Sequence, residues 1–384
     1  MLQGNTCSHR LVAGYNIGAG NRREREWPHP IGVRLFGISS WKEKTVQAWE
    51  YRILKSWVQV YALFKELPMR HCIILLAAFS ILLPVSSSVF AESSDVEWDI
   101  LNYEVKELYR TGNYGRAVVV AKKALEVAEE NVGPYNPDVA TSLNNLALLY
   151  RNQGHYAQAE PLYKRVLKID EKALGPDHPD VARSLNNLAL LYYAQGHYAR
   201  AEPLYKRSLK IKEKALGPDH PDVALSLNNL ALLYDDQGYY AQAEPLYKRA
   251  LKIDEKALGP DHPLVATSLN NLALLYYAQG HHAQAEPLYK RSLKIVEKAL
   301  GPDHTSVAAS LNNLALLFKT QGYYAQAEPL YNRSLKIKEK ALGPDHPHVA
   351  TGLENLAGLY RATNRDKEAE PLEERAARIR GVKR

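Results

Sequence analysis

Pairs of an aspartate and a histidine are the residues of this chain whose types and spacing could support chemistry. Carboxylates and imidazoles can bind zinc, but zinc needs its ligands within about 2.0–2.2 Å. Packed helices lie about 8–10 Å apart, so histidines from successive units are not expected to share an ion. We interpret each pair as a turn between units, with the aspartate capping a helix. The pairs recur every 42 residues, at Asp177-His178, Asp219-His220, Asp261-His262, Asp303-His304 and Asp345-His346.

Other signs of catalysis are missing from the sequence. It has no glycine-rich phosphate loop, no HExxH motif and no nucleophile elbow. The two cysteines, Cys7 and Cys72, both precede residue 92, so disulfides and thiol chemistry are excluded from the rest of the chain. We therefore predict no catalytic residue, no cofactor and no metal site.

The net charge of +7 is concentrated at the start of the chain. Residues 1–91 hold 11 Lys and Arg against 5 Asp and Glu, which leaves 38 basic and 37 acidic residues in 92–384. A nearly neutral region lacks the basic surface that nucleic acid requires. We expect no nucleic-acid partner.

The segment 69–91 has the three parts of a secretory signal peptide. Arg70 is followed by an apolar run, and Val89-Phe90-Ala91 supplies the small residues that a signal peptidase recognises. We predict cleavage before Glu92, repeats outside the cytoplasm (periplasmic or secreted) and no membrane span after cleavage. The alternative is an uncleaved signal anchor over 72–90, which leaves the repeats on the same side of the membrane.

Residues 1–68 do not resemble the remainder of the chain. They contain four of the five tryptophans and show no sustained helical or strand period. The only methionines are Met1 and Met69. We therefore predict that translation begins at Met69 and that 1–68 is a spurious upstream extension or disordered. A short linker, 92–96, leads into the repeats.

From residue 97 the chain repeats every 42 residues, and each unit predicts a pair of helices, A and B. Leu143, Leu146, Ala147 and Tyr150 form one helical face, and a glycine ends each helix. Charged residues on helix B, the run 164–172, predict a solvated outer face. The units are 97–138, 139–180, 181–222, 223–264, 265–306, 307–348 and 349–384.

The wording of the units, L-N-N-L-A-x-L-Y, A-E-P-L-Y-K-R and G-P-D-H-P-x-V-A, resembles the tetratricopeptide repeat, and in particular that of kinesin light chains. The resemblance covers 97–384 and implies an all-α, right-handed superhelical solenoid of antiparallel helix pairs with a peptide-binding groove along the A helices. Nothing resembles the heptad segment of a light chain. We therefore do not expect the kinesin partner.

In the tetratricopeptide family the groove is lined by the helix face opposite the core stripe. Here that face carries amides, which can bond a peptide backbone, beside leucines. The alternative is that the amides join neighbouring repeats. Positions that differ among near-identical units are expected to set specificity, and Arg151 and Arg183 make one end cationic. The predicted groove residues are Asn145, Asn187, Asn229, Asn271, Asn313, Leu148, Leu190, Leu232, Leu274, Leu316, Arg151, Arg183, Tyr193, Asp235, Tyr277 and Lys319.

Two functions are compatible with these features of the sequence. The first is a non-catalytic scaffold that binds a protein or an extended peptide and assembles an extracytoplasmic complex. The alternative is an accessory or regulatory subunit that positions a separate enzyme.

Overall fold

The structure, a computed structural model, describes residues 96–381, which contain fourteen helices. The predicted extension, signal peptide and nearly all of the linker lie outside the described residues. In chain order the helices are α1 (96–110), α2 (Tyr114–Val132), α3 (Pro137–Asn152), α4 (Tyr156–Leu174), α5 (Pro179–Ala194), α6 (Tyr198–Leu216), α7 (Pro221–Asp236), α8 (Tyr240–Leu258), α9 (Pro263–Ala278), α10 (His282–Leu300), α11 (Thr305–Thr320), α12 (Tyr324–Leu342), α13 (Pro347–Ala362) and α14 (Asp366–Ile379).

The described residues fall into two compact units, 96–134 and 135–381. The first is a hairpin of α1 and α2. Gly112 adopts a left-handed φ of 75° in the turn, which costs glycine little. The ring of Tyr109 packs on that of Tyr114 at 5.7 Å, and Arg116 forms a 2.9 Å ion pair with Glu104.

The second unit is an array of helix pairs. The odd-numbered helices α3 to α13 are A helices, and the even-numbered helices α4 to α14 are B helices. Each A helix packs on the B helix that follows it, and each B helix packs on the next A helix. This alternation is that of a tetratricopeptide solenoid.

Glycines set both turns of the pairs from α3 to α12, as predicted, whereas Asn364, with a φ of 59°, takes the place of the glycine after α13. After α3, Gly154 has a φ of 76°, and the His155 N–H donates to the carbonyl of Tyr150 at 2.8 Å. This six-to-one bond satisfies a carbonyl that would otherwise have no partner at the helix end. After α4, Gly175 has a φ of 88° and leads into the turn before α5.

The core of each pair contains the predicted stripe. Leu143 and Ala147 of α3 are fully buried, as are Ala159 and Tyr163 of α4. The same positions are buried in the later pairs, except that Glu373 of the last pair is half-exposed. No described helix is long and apolar enough to cross a membrane.

Candidate functional site

The Asp-His pairs serve structure rather than acid–base chemistry. The histidine, and not the aspartate as predicted, caps the next A helix: His220 Nδ1 accepts from the Asp222 N–H at 3.1 Å. In the first four pairs the aspartate is exposed and forms an ion pair with a lysine of the next repeat, as Asp219 does with Lys256 at 2.5 Å. The cap is made at 3.1–3.2 Å by His178, His220, His262, His304 and His346.

The A helices form one layer, because successive members contact each other directly and are joined by side-chain amides. We call these bonds the amide ladder. In each rung the second asparagine of one repeat donates to the first asparagine of the preceding repeat, 43 positions earlier. The rungs are Asn187 to Asn144, Asn229 to Asn186, Asn313 to Asn270 and Asn355 to Asn312, at 2.7–2.9 Å.

One rung is absent from the described array. Asn228 and Asn271 occupy the equivalent positions, but Asn228 Oδ1 accepts no hydrogen bond within the described residues, and the Asn228 Nδ2 donates to Ser268 Oγ at 2.9 Å. The Ser268 hydroxyl donates in turn to the Asp254 carboxylate at 2.7 Å. Because Ser268 gives its proton to Asp254, its oxygen is left to accept from Asn228. The equivalent pair of Ser184 and Asp170 coexists with an intact rung between Asn187 and Asn144, so the bond from the serine to the aspartate does not by itself remove a rung.

The predicted groove residues divide by exposure. The amides of Asn145, Asn229, Asn271 and Asn313 are buried, and so are Arg151 and Asp235. The five predicted leucines are only 2–6% exposed, so they contact neighbouring side chains in this conformation. The half-exposed members are Arg183, Asn187, Tyr193, Tyr277 and Lys319.

The half-exposed tyrosines tie neighbouring A helices together near their C-terminal ends. The Tyr193 hydroxyl donates to the carboxylate of Asp236 in the next repeat. Tyr277 is bonded in the same way to Thr320 Oγ1 at 2.9 Å. Each of these tyrosines is therefore half-exposed, while its hydroxyl is held by a hydrogen bond to the next repeat.

Lys319 lies next to the position at which the recurring groove leucine, last present as Leu316, is replaced by glycine. The position after Leu316 in that series is Gly358, and a β-carbon there would lie 2.8 Å from Lys319 Nζ. Burial lowers the pKa of Lys319 below its usual value. The glycine thus gives the lysine room on the A-helix layer.

A second variable series lies on the B helices and was not among the predicted site residues. Its members are buried. The charged run 164–172 on helix B was predicted to be solvated, and for Asp170 this prediction is wrong. Asp170 accepts from Ser184 at 2.5 Å, and burial raises its pKa. The signal was available, since this position changes among near-identical units. The series is Asp170, Lys212, Asp254, Val296 and Lys338.

A serine faces each of the first four members of this series, and the residue at the series position decides whether the serine hydroxyl has a carboxylate to bond. Asp170 and Asp254 each accept from a serine hydroxyl. Lys212 and Val296 offer no carboxylate, and within residues 96–381 the hydroxyls of Ser226 and Ser310 make no hydrogen bond. The residue at this B-helix position is therefore acidic, basic or apolar in different repeats, and the hydrogen bonding of the facing serine changes with it.

Charged residues elsewhere on the B helices link successive repeats. Arg249 forms a 2.6 Å ion pair with Glu213 of the preceding B helix, and its second nitrogen donates to the Pro218 carbonyl at 3.3 Å. Exposed pairs of this kind contribute about 0–1 kcal/mol each. The same pairing recurs at Arg207–Glu171, Arg291–Glu255, Arg333–Glu297 and Arg375–Glu339.

This architecture defines a helical repeat protein. The family profile described as Tetratricopeptide repeat matches six overlapping segments, 108–172, 156–214, 202–256, 236–298, 283–340 and 307–380. The chain therefore belongs to the tetratricopeptide repeat family. No curated protein matches it.

Solved structures of similar proteins include repeat proteins of the kinesin light chain type. BtubC (BKLC) from P. vanneervenii is 26% identical over 60% of this chain and 90% of its own, with a TM-score of 0.49. A kinesin light chain-type protein from Podosopora anserina, with nearly identical TPR-like repeats, is 30% identical over 53% of this chain and 96% of its own, with a TM-score of 0.46. The apo form of RapI is 16% identical, covers 74% of this chain and 97% of its own, and has a TM-score of 0.55; this likeness concerns the fold alone.

Proposed function

We propose that this protein is a non-catalytic scaffold that binds a protein or an extended peptide on its A-helix layer. Tetratricopeptide repeat proteins are typically protein-binding scaffolds and are usually non-catalytic. The proposal rests on which side chains differ between repeats and which stay the same. A nearly constant frame of buried leucines and amides holds side chains that differ between repeats, and several of these, such as Tyr193, Tyr277 and Lys319, remain half-exposed.

The half-exposed tyrosines suit such a role because an aromatic ring buries a large area on contact and loses little conformational entropy. In Tyr193 and Tyr277 a hydroxyl bond to the next repeat already fixes the ring. Binding therefore costs little further ordering of these side chains.

We further propose that the scaffold works outside the cytoplasm. The support is the three-part pattern of residues 69–91, which precedes the repeats. The partner would then belong to an extracytoplasmic complex, and an enzyme positioned by this chain remains the alternative.

A pull-down with matched variants tests the proposal. The bait is the exported chain, compared with the double variant Tyr193→Ala/Tyr277→Ala. The control is Tyr239→Ala/Tyr323→Ala, because both control tyrosines are 53% exposed but lie in the turns between A and B helices. We expect the first variant to lose a partner that the control retains.

Capture of the same partner by both double variants, each with an unchanged melting temperature, would contradict binding at the A-helix layer. Recovery of one stoichiometric enzyme would favour the accessory-subunit alternative.

A further inference from the structure

A cavity of about 310 Å³ opens in the A-helix layer around units 181–222 and 223–264. Its walls come from α5, α6, α7 and α8, with Leu264 of α9 at one side. The volume falls at the lower end of the range for ligand pockets, about 300–1,000 Å³. The cavity lies beside the missing rung of the amide ladder, and both Asn228 and Asp254 line it.

Asn228, which lines this cavity, has a buried acceptor without a hydrogen-bond partner among the residues that the structure describes. Its side chain is 3% exposed, and its Nδ2 is committed to Ser268. The Oδ1 atom makes no hydrogen bond within the described part of the chain. Elsewhere in the ladder the equivalent oxygen accepts from the next repeat, as Asn186 does from Asn229. A buried acceptor without a partner is costly, so a ligand that supplies an N–H group gains by binding here.

Lys212 brings a donor to the same cavity. Its side chain is 6% exposed, and its ammonium makes one long hydrogen bond, of 3.3 Å, to the carbonyl of Asp222. An ammonium has three donors, so a ligand that supplies a carbonyl oxygen can use another. Burial lowers the pKa of Lys212, which agrees with an incompletely compensated cation.

The remaining charges of the cavity disfavour a ligand group with a net charge. Arg183 is already paired with Asp180 at 2.9 Å. Asp222 and Asp254 add two carboxylates, while Lys212 adds one cation. An incoming carboxylate meets those two acidic residues, and an incoming ammonium meets Lys212. A neutral group with both a donor and an acceptor avoids either repulsion.

We propose that this cavity binds the side-chain carboxamide of a glutamine or asparagine carried on an extended peptide. The carboxamide NH₂ donates to Asn228 Oδ1, and its carbonyl oxygen accepts from Lys212 Nζ. The methylene groups of the ligand pack against the apolar part of the lining, which includes Leu216, Leu225 and Leu264. This assignment rests on the proposed function, for which it names the anchoring group of the ligand.

Four pentapeptides test the assignment: Ac-Ala-Ala-Xaa-Ala-Ala-NH₂ with Gln, Glu, Lys or Leu at the central position. Each is titrated into the full chain carrying isotopically labelled leucine methyl groups. Leu225 and Leu264 report the cavity, and Leu148 of α3 serves as the distant reference. Two net hydrogen bonds predict that the Gln peptide binds roughly 5- to 150-fold more tightly than the Leu peptide.

A pair of variants tests whether the preference for the Gln peptide arises in this cavity or elsewhere in the array. Lys212→Val removes the donor, and Val296 shows that this B-helix position accepts valine. We expect the preference for Gln over Leu to fall to roughly 2- to 12-fold, because one of the two net hydrogen bonds is lost. Lys338→Val is the control, since Lys338 holds the same position in unit 307–348 but does not line the cavity.

The outcomes distinguish the carboxamide site from the proposed function. If all four peptides shift the methyl signals of Leu225 and Leu264 equally, or if the Glu or Lys peptide binds most tightly, the carboxamide assignment is wrong and binding at the A-helix layer stands. If no peptide shifts any leucine of the A helices, both proposals fail.

Discussion

The side-chain amide of Asn229 donates a 2.9 Å hydrogen bond to Oδ1 of Asn186, 43 positions earlier in the chain. Both side chains are buried, and the bond joins two A helices of neighbouring repeats. At least at this rung, the amide series therefore supports the array itself. A ligand that used the Asn229 amide would have to replace this bond.

The amide ladder predicts unequal effects of the same substitution in adjacent repeats. Asn229→Ala removes the bond and leaves Asn186 Oδ1 buried without a donor, at a cost of about 1–3 kcal/mol. Asn271→Ala is the matched control, because no ladder bond joins Asn271 to Asn228 in the described array. We expect the urea midpoint to fall clearly more for Asn229→Ala.

Equal urea midpoints for these two variants would show that the ladder bond contributes nothing measurable. Partner affinity measured on the folded fraction of each variant adds a second comparison. A loss of affinity without a loss of stability in Asn229→Ala would assign that amide to ligand binding.

The histidine caps make a second prediction. Replacing His220 by alanine removes an acceptor from the N-terminus of α7 and should cost about 0.5–2 kcal/mol in thermal or urea unfolding. His220→Asn should be nearly neutral, since Asn136 caps α3 with a side-chain oxygen 2.9 Å from the Asp138 N–H.

The control for the cap is His197, which precedes α6 but makes no side-chain capping bond. His197→Ala should leave the urea midpoint almost unchanged. A similar loss in His197→Ala and His220→Ala would mean that the histidines act through the turn rather than through the cap.

Lys212 predicts a pH-dependent gain in stability. Burial lowers its pKa below the usual 10.5, so the folded state binds this proton less tightly than the unfolded state. The resulting penalty is full below the folded-state pKa and disappears as the pH rises to the unfolded value. Lys212→Val should therefore stabilise the protein at neutral pH by on the order of 1 kcal/mol.

That advantage should shrink as the pH is raised towards about 10. Lys210→Val is the control, because Lys210 is exposed on the same helix and its replacement should change the free energy of unfolding little at either pH. A gain for Lys212→Val that is the same at neutral and alkaline pH would exclude the buried charge as its cause.

Much of the fold could be predicted from the sequence because the determining signals are local and repeated. The leucine and alanine periodicity indicated the helix pairs, and glycines such as Gly154 and Gly175 indicated their ends. The cap was assigned to the wrong member of the Asp-His pair. Aspartate is the commoner cap, but here Asp219 forms an ion pair with the next repeat, while His220 is placed next to the helix start.

The site was less predictable because it depends on contacts between repeats. A helical wheel for one repeat places Asn229 and Leu232 on the face opposite the core, yet both are buried by their neighbours. The buried positions of Asp170 and Lys212 likewise follow from packing against the next A helix. Periodicity within one unit carries no information about that packing.

The predicted signal peptide has a direct test. If residues 69–91 direct export and are removed, the exported chain should begin at Glu92. Mass spectrometry of the N-terminal peptide from the exported protein measures this. Peptides from 1–68 in the mature protein would contradict both the start at Met69 and the cleavage site.

The last prediction concerns removal of one whole unit, 223–264. In a repeat array each unit contacts mainly its neighbours, so the shortened chain should fold with the same helical content per residue by circular dichroism. The junction joins Asp222 to Val265 and brings Asn271 to the position that Asn229 holds in the intact array.

Asn271 should then complete a rung with Asn186, while the cavity loses the walls that α7 and α8 provide. We therefore expect a folded protein that no longer prefers the Gln pentapeptide. An Asn271→Ala substitution should now lower the urea midpoint of the shortened chain, by about 1–3 kcal/mol in free energy of unfolding, although it has little effect in the intact one. If the shortened chain loses its helical circular dichroism altogether, folding of the array does not depend on contacts between neighbouring units alone. If it folds but Asn271→Ala remains neutral, the amide ladder does not depend on repeat spacing alone.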